Sequence, residues 1–448
     1  MSKPNNLSNL SNLSNQPYLS NSSGLPKFIK SKKFAQKLAN SFELFFCCIF
    51  LAMMPLSIGV QNIAYGIFIL FWLINRLFKT APHKDFGGHW RYFDTLILAW
   101  ILIDIFINTF SYFRGTGFSG SLDMLQYLSV LWVFSRSHYN HRTIYLFFTL
   151  IFIGTVLGLT RALTLYLQHH HDINYFLLET LGQRNHTAIF IVLIFGLAMS
   201  LFLAFFKQLN FLLKLLFLIL IIALISGLLL SASRAAFGAM FMVLFILAII
   251  WGARSNIKIT LGLIIFLLLG ATVTFIDKPI VMQRELNWQA SVAASGTFPR
   301  ECLYHGSWLL FQQHPIIGVG SHNYGKFDTK QNLTQLLDQT YKNPADRPCI
   351  FLAPHSHNLY LNTLVEMGII GFIPLGIFLL SWLIFLLRHF PDQKAQPIAK
   401  ALWDAALCAF FIDTGIGLVN TTIHHGHALI TMVILGLALS YFYRQRGK

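Results

Sequence analysis

The chain has 448 residues, of which 55% are hydrophobic and only 11% are charged. Soluble globular proteins carry roughly a quarter of their residues as charged side chains, so this composition excludes an ordinary water-soluble domain and indicates lipid as the main solvent. The formal net charge of +16 does not indicate a nucleic-acid-binding protein, because the basic residues fall in short clusters between apolar runs and form no basic stripe with interleaved aromatic residues.

The N-terminal segment is polar and of low complexity. Residues 1–26 repeat Leu-Ser-Asn and are rich in Ser, Asn and Pro. Such a segment cannot bury enough apolar area to offset the entropy lost on ordering, and it lacks the basic and apolar regions of a cleaved signal peptide. We therefore predict a disordered cytoplasmic tail over residues 1–40.

Twelve apolar segments follow, and each approaches the roughly 20 residues that a helix needs to cross a bilayer. The first nine lie at 41–60, 61–78, 93–110, 121–135, 143–167, 187–206, 209–230, 235–252 and 257–277. The last three lie at 359–387, 399–420 and 427–443. The segments are continuously apolar rather than alternating, which predicts helices and not the strands of a barrel. The predicted fold class is an all-α polytopic membrane protein with about twelve transmembrane helices.

Lys and Arg residues indicate which loops face the cytoplasm, where these residues are enriched. They stand before the first span, after every second span and after the last one. Both termini are therefore predicted to be cytoplasmic, with helices 1–9 in 41–277, helices 10–12 in 359–443 and a short tail at 444–448. Residues 278–358 then form a periplasmic loop of about 80 residues, a length that is uncommon for a loop without a function.

Arg and His residues occur on the outward side of this predicted topology, where topology rules alone would not place them. They precede the sixth, eighth and twelfth spans and occupy the long loop. Members of this outward set are Arg184, His186, Arg234, Arg300, His355, His357, His424, His425 and His427. This asymmetry is the strongest indication of a functional site that the residues themselves give.

The five cysteines have no metal-binding spacing. Cys47, Cys48 and Cys408 lie inside apolar runs and are read as small lipid-compatible residues. Cys302 and Cys349 share the long loop and could form a disulfide if that loop is periplasmic. The sequence leaves this pairing open.

A specific spacing of residues closes the long loop and enters the tenth span. His357 and Asn358 are followed by nine residues, Gly368, two residues and Gly371. Two glycines one turn apart predict a helix face that a neighbouring helix approaches closely.

This run, HSHNLYLNTLVEMGIIG, resembles the signature of the O-antigen ligase superfamily. The stretch RECLYHGSWLLFQQHPIIGVGSHNYGKF at 300–327, the tract SASRAAFG at 231–238 and the tract GQRNHTA at 182–188 resemble further segments of that family. With the order of the motifs and the long loop between spans nine and ten, the resemblance covers nearly the whole chain.

The resemblance implies a membrane glycosyltransferase in the inner membrane of a Gram-negative bacterium. The expected donor is O-antigen polysaccharide linked to undecaprenyl diphosphate, and the expected acceptor is a hydroxyl of a lipid A-core sugar on the periplasmic face. Direct attack of that hydroxyl on the anomeric carbon would invert its configuration. No metal and no cofactor is expected, and the sequence carries no paired outward carboxylates that would form a metal site. Nucleic acid is not expected as a partner, whereas membrane lipid is.

The resemblance also implies roles for individual residues. His357 matches the family's histidine and would act as general base toward the acceptor hydroxyl. Guanidinium forks suit the oxygens of a diphosphate leaving group, so Arg300 and Arg234 are the predicted clamp. Weaker candidates for contacts with the diphosphate or the pocket are Arg184, His186, His355, Asn358 and His425. By itself an arginine at the end of a span is more often an anchor at the membrane surface.

Three alternative functions stay open at this point. Two are in the same superfamily, an O-antigen polymerase and a protein O-oligosaccharyltransferase; the latter often carries a longer C-terminal extension than the five residues seen in this chain. The third is a polysaccharide or lipid transporter. Transporters place ionisable residues at the bilayer midplane, often in internal repeats. No repeat is found, and the few mid-span charges are Asp104, Lys214, Glu366, Asp404 and Asp413.

Overall fold

The computed structural model describes residues 27–78, 88–254, 300–327, 337–343 and 354–446, together with the single positions 261, 262, 265, 335 and 350. Throughout these residues the regular structure is helical, with no strand. The prediction of an all-α fold is confirmed for this part of the chain.

The helices are numbered in chain order. Those before the long loop are α1 (Lys27–Met53), α2 (Ile58–Phe78), α3 (Tyr92–Thr109), α4 (Arg114–Arg136), α5 (His141–Gln168), α6 (Arg184–Phe205), α7 (Phe211–Ser231) and α8 (Arg234–Ala253). Those within and after the loop are α9 (Arg300–Gln313), α10 (Leu359–Arg388), α11 (Pro397–Gly417) and α12 (His425–Arg446). Two 3-10 helices lie at Ile173–Tyr175 and Tyr324–Phe327.

Eight of the described helices are long and apolar enough to cross a membrane, namely α2, α3, α5, α6, α7, α8, α10 and α12. They coincide with predicted spans and fit a polytopic membrane protein. Helices α4 and α11 occupy the predicted fourth and eleventh spans, and α1 contains most of the first. Because α1 begins at Lys27, the prediction that residues 27–40 are disordered is wrong. The predicted ninth span, 257–277, lies largely outside the described residues, and the total of twelve stays a prediction.

The predicted boundary between the first two spans, at residue 60, is wrong. Helix α1 ends at Met53, and a turn that contains Pro55 separates it from α2, which begins at Ile58. Proline disfavours the helical conformation of the residue before it, so the helix ends ahead of Pro55 although the surrounding run is apolar.

Helices α6 and α12 form the centre of the bundle. In α6, 83% of the span is buried inside the protein, and in α12, 94%. They pack on each other and on α11, and α12 also packs on α4. A helix that is apolar all round is expected at such a position. Both central helices begin at the end of the bundle that the topology predicts to face outward, and this places their first turns among the predicted site residues.

Two buried ion pairs join helices at the opposite end of the bundle. Arg136 of α4 pairs with Asp94 of α3, and both side chains are 2% exposed. Arg254, just after α8, pairs with Asp404 of α11 at 2.8 Å, and the Trp251 indole N–H donates to the same carboxylate at 3.1 Å. Each pair ties two helices together where a lone buried charge would be costly.

Helix α10 is interrupted at Gly368, whose φ of 62° and ψ of −166° lie outside helical values. The turn at 315–320 (Pro-Ile-Ile-Gly-Val-Gly) inserts its backbone at this break. Four backbone hydrogen bonds join the two segments: Ile369 N to Pro315 O (2.9 Å), Ile370 N to Ile316 O (3.1 Å), Val319 N to Val365 O (2.9 Å) and Gly320 N to Glu366 O (2.7 Å).

The prediction that Gly368 admits a neighbouring helix is therefore wrong, because the approaching backbone belongs to the 315–320 turn. A Cβ at Gly368 would lie 2.3 Å from the carbonyl oxygen of Ile316, and one at Gly318 would lie 2.4 Å from the carbonyl carbon of Glu366. Both glycines have positive φ, so the docking needs glycine for conformation as well as for space.

Candidate active site

Seven histidines from four separate segments meet at one end of the bundle. Neighbouring rings have centroids 3.9–6.0 Å apart. The members of this histidine cluster are His186, His322, His355, His357, His424, His425 and His427. Four of them, His186, His355, His357 and His425, are predicted site residues, and the structure brings them together.

The turn that carries His357 is held by hydrogen bonds on both sides. The Ser356 N–H donates to the Asn362 side-chain oxygen at 3.0 Å, and the Ser356 hydroxyl donates to the Asn358 carbonyl at 2.9 Å. Asn358 also caps α10 by accepting from Leu361 N at 2.9 Å. His357 itself has a φ of 51°, a left-handed conformation that costs a non-glycine residue about 1–3 kcal/mol. The fixed turn maintains this conformation and sets the direction of the imidazole.

Asn420 orients the His357 ring. Its side-chain oxygen lies 3.3 Å from His357 Nδ1 and accepts from the Thr421 N–H at 2.9 Å. An amide oxygen only accepts, so Nδ1 carries the hydrogen and Nε2 is left as the basic nitrogen. Asn420 is buried. Asn420 is not among the residues predicted from the sequence, and the signal that could have indicated it is the polar run Asn-Thr-Thr at the end of span eleven, just before the His424–His425 pair.

The electrostatics around His357 keep it neutral. Burial lowers the pKa of His357, the hydrogen bond with Asn420 raises it, and the positive charge of Arg300 lowers it. The net shift is downward, so the ring is unprotonated at neutral pH and able to accept a proton. Arg300 acts on this ring from the first residue of α9. Two of the three predicted catalytic residues thus interact.

His355 packs edge-to-face against His357, with 4.2 Å between ring centroids. Burial, and then the neighbouring His357 and His425, lower the pKa of His355 to about 3. His355 is therefore a second neutral imidazole beside the candidate base.

His186 is the centre of the cluster. Its Nδ1 lies 2.9 Å from His427 Nε2, and this hydrogen bond joins the first turns of α6 and α12. The His186 ring also contacts His355, His424 and His425 at centroid distances of 5.0–6.0 Å. Since His186 and His427 are both fully buried, they lie beneath the candidate base rather than on the surface.

The other predicted arginines occupy helix starts on the same side of the bundle. Arg184 is the first residue of α6, two positions before His186, and is half-buried. Arg234 is the exposed first residue of α8, which packs on α6 and α11. Their contacts with a diphosphate stay predictions.

Helix α9 is fastened to the bundle near His357. It packs against α10, and the Tyr304 hydroxyl donates to the Leu418 carbonyl at 3.4 Å, close to Asn420. Cys302 in the same helix is disulfide-bonded, and Cys349, the residue with which the sequence allows it to pair, lies outside the described residues. Disulfides persist in oxidising compartments, so this bond supports an extracytoplasmic location for the loop. Cys47, Cys48 and Cys408 are free thiols.

A small cavity of about 70 Å³ lies next to the cluster. Its lining includes His322, His424, Asp123 and Glu366, and His322 Nε2 lies 3.7 Å from an Asp123 carboxylate oxygen. The backbone N–H groups of His322 and Tyr324 donate to the Glu366 carboxylate. His322 and Asp123 are not among the residues predicted from the sequence, although His322 closely follows the Gly-Val-Gly turn.

Within the described residues, no group of three or more His, Cys, Asp or Glu side chains is arranged to hold a metal ion. The rings of the cluster stack or meet edge to face instead of converging on one point. The arrangement provides neutral proton acceptors beside a fixed positive charge. These are the groups that a group-transfer reaction with general-base catalysis needs.

A multi-pass helical bundle with an oriented, neutral histidine beside an arginine at its helix ends fits a membrane-embedded transferase. Residues 218–376 match the model of a family described as O-antigen ligase, and this segment includes Arg234, Arg300 and the turn that carries His357. No curated protein matches the chain. The resemblance to the O-antigen ligase superfamily read from the motifs is confirmed over residues 218–376, and it supports a membrane glycosyltransferase of the O-antigen ligase or polymerase type.

Proposed function

We propose that this protein is an O-antigen ligase. It transfers O-antigen polysaccharide from undecaprenyl diphosphate to a sugar hydroxyl of lipid A-core, on the periplasmic face of the inner membrane. The observation that carries the proposal is the pairing of His357, whose basic Nε2 is left free by Asn420, with the positive charge of Arg300. Both residues lie in the segment that matches the O-antigen ligase family.

The proposed reaction is a direct displacement. The acceptor hydroxyl gives its proton to His357 Nε2 while its oxygen bonds to the anomeric carbon. The bond from that carbon to the diphosphate oxygen breaks on the opposite face, so the configuration inverts. The leaving diphosphate gains negative charge, and Arg300 and Arg234 stabilise it. Such charge stabilisation is worth about 3–4 kcal/mol per donor in enzymes where it has been removed.

The proposed topology places this chemistry outside the cytoplasm. Twelve spans, a cytoplasmic tail at 1–40, a periplasmic loop at 278–358 and a cytoplasmic tail at 444–448 together account for the distribution of Lys and Arg. The disulfide at Cys302 supports the location of the loop. No cofactor is proposed, because the arginines take the charge-stabilising role and His357 takes the proton.

Deletion of the gene tests the proposed function. Surface lipopolysaccharide is separated on a gel, and polyprenyl-linked glycan is extracted from the same cells. Loss of the whole O-antigen ladder with accumulation of long carrier-linked polymer is the expected result. A band that carries a single repeat unit would assign the protein as a polymerase, and an unchanged gel would contradict the proposal and direct attention to glycoproteins.

A further inference from the structure

We infer that the histidine cluster is a proton-exit path, in which His355, His186, His424 and His322 carry the proton from His357 to the carboxylate of Asp123. The inference rests on the proposed function, because the proton comes from the acceptor hydroxyl. His355, His186, His424 and His322 are positioning and relay residues; among these histidines and His357, only His357 meets the substrate.

His357 needs a way to lose its proton. After transfer the ring is an imidazolium in the field of Arg300, which disfavours the charged form. Its Nδ1 faces Asn420, whose amide oxygen accepts a hydrogen bond but passes no proton on. His355 is a titratable neighbour in direct contact with His357, at 4.2 Å between ring centroids.

The remaining steps of the path have comparable lengths. Ring centroids lie 5.7 Å apart for His355 and His186, 6.0 Å for His186 and His424, and 5.5 Å for His424 and His322. The directly hydrogen-bonded pair, His186 and His427, has a separation of 5.0 Å. A small rotation of a ring, or one bridging water, would therefore connect the nitrogens of neighbouring rings at each step.

Three ring nitrogens along the path are available to take part in proton transfer. Among the described residues, His355 Nε2, His186 Nε2 and His424 Nδ1 are buried without a hydrogen-bond partner. Burial lowers the pKa of His424, as it does that of His355, and neighbouring histidines lower both further. A neutral imidazole accepts a proton at its unprotonated nitrogen, and the protonated ring then releases one. His186 accepts and releases at Nε2, because its Nδ1 is hydrogen-bonded to His427, so the proton passes and no bond other than N–H and O–H changes.

The path ends at the cavity beside the cluster. Its volume of about 70 Å³ holds a few water molecules, since one needs about 10–15 Å³ on this measure. His322 delivers the proton to Asp123, which is 42% exposed and passes it to water. Other polar groups that face this end are the Glu366 carboxylate, Asp104 through the Ser321 hydroxyl, and the Tyr127 hydroxyl, which accepts from the His425 N–H.

The test uses the full-length enzyme in proteoliposomes with carrier-linked glycan as donor and lipid A-core as acceptor. Transfer rates of wild type, His186→Gln and Asp123→Asn are measured with and without added imidazole, in H₂O and in D₂O. His170→Gln is the matched control, because His170 is exposed in the loop after α5. Donor binding and melting temperature are recorded for every variant.

The expected result is a rate at least about tenfold lower for His186→Gln and Asp123→Asn. Imidazole restores much of the rate, the solvent isotope effect rises above that of wild type, and His170→Gln is unchanged. A wild-type rate in both variants, or a loss that neither responds to imidazole nor changes the isotope effect, would overturn the path. If His186→Gln fails to fold, the rate of Asp123→Asn alone tests the path, because Asp123 lies on α4 and His186 lies on α6. Absence of transfer by wild type would instead refute the proposed function.

Discussion

The side-chain oxygen of Asn420 lies 3.3 Å from Nδ1 of His357, two residues that are 63 positions apart in the chain. The same oxygen accepts the Thr421 N–H, which fixes the amide orientation. This contact selects the imidazole tautomer that exposes a basic nitrogen. It is absent from the motif by which His357 is recognised.

Asn420→Asp should move the pH dependence of transfer. A carboxylate at this position favours protonated His357, so the pKa of His357 rises and the base is protonated over a wider acidic range. The acidic limb of the kcat/KM profile should shift to higher pH, by about 1–3 pH units for an opposite charge at this distance. Asn420→Leu should lower the rate of transfer and shift the acidic limb little, because it removes the group that orients the His357 ring without adding charge. An unchanged profile in Asn420→Asp would show that Asn420 does not act on the base.

Arg300→Gln should have two separable effects. Loss of the guanidinium removes stabilisation of the leaving diphosphate, so kcat should fall by about 100-fold or more. Loss of its charge also removes one cause of the low pKa of His357, and the residual activity should show an acidic limb at higher pH. Arg300→Lys keeps the positive charge, so the pH profile of kcat/KM should be retained. Part of kcat should be lost, because lysine lacks the planar fork of the guanidinium. A normal kcat in Arg300→Gln would exclude Arg300 from the clamp.

Gly318→Ala and Gly368→Ala should each destabilise the protein by about 2 kcal/mol or more, through a backbone clash and a positive φ. Both changes separate the 315–320 turn from α10 and should also abolish transfer. Gly376→Ala is the matched control in the same helix, because nothing lies within 4 Å of its added Cβ. Melting temperatures in detergent measure the difference, and equal values for all three variants would contradict the docking of the turn.

Asp404→Ala should be among the most destabilising single changes at the predicted cytoplasmic end. It leaves Arg254 buried without its carboxylate, and breaking such a pair costs about 3–5 kcal/mol. The double replacement Arg254→Met with Asp404→Leu should recover most of the loss, since it removes both buried charges. A thermal unfolding series in detergent gives the comparison, and a double variant as unstable as Asp404→Ala would show that the ion pair itself is needed.

The fold was largely predictable because long apolar runs leave few structures other than spanning helices. The α1–α2 boundary was missed because hydropathy does not register Pro55, which breaks the helix inside an apolar run. The role of Gly368 was misread for a related reason. Glycine spacing indicates close packing, but it does not reveal whether the neighbour is a helix or the 315–320 turn.

The site was predictable only where a motif marks it. His357 and Arg300 were predicted through the resemblance to the family's motifs, and in the structure the charge of Arg300 acts on the His357 ring. Their catalytic roles stay predictions. Asn420 and His322 were missed because their contribution depends on contacts between distant segments. The hydrogen bond between His186 and His427 spans 241 positions, a separation at which local sequence patterns give no information.

The most direct measurement is transfer by purified wild type and His357→Ala, with undecaprenyl-diphosphate-linked O-antigen and lipid A-core in proteoliposomes. His170→Ala serves as control, and melting temperatures confirm that all three proteins are folded. Wild type and the control should produce the ligated ladder, and His357→Ala should produce none. A ladder from His357→Ala at the wild-type rate would contradict the assignment of His357 as the general base, and no ladder from wild type would contradict the ligase reaction itself.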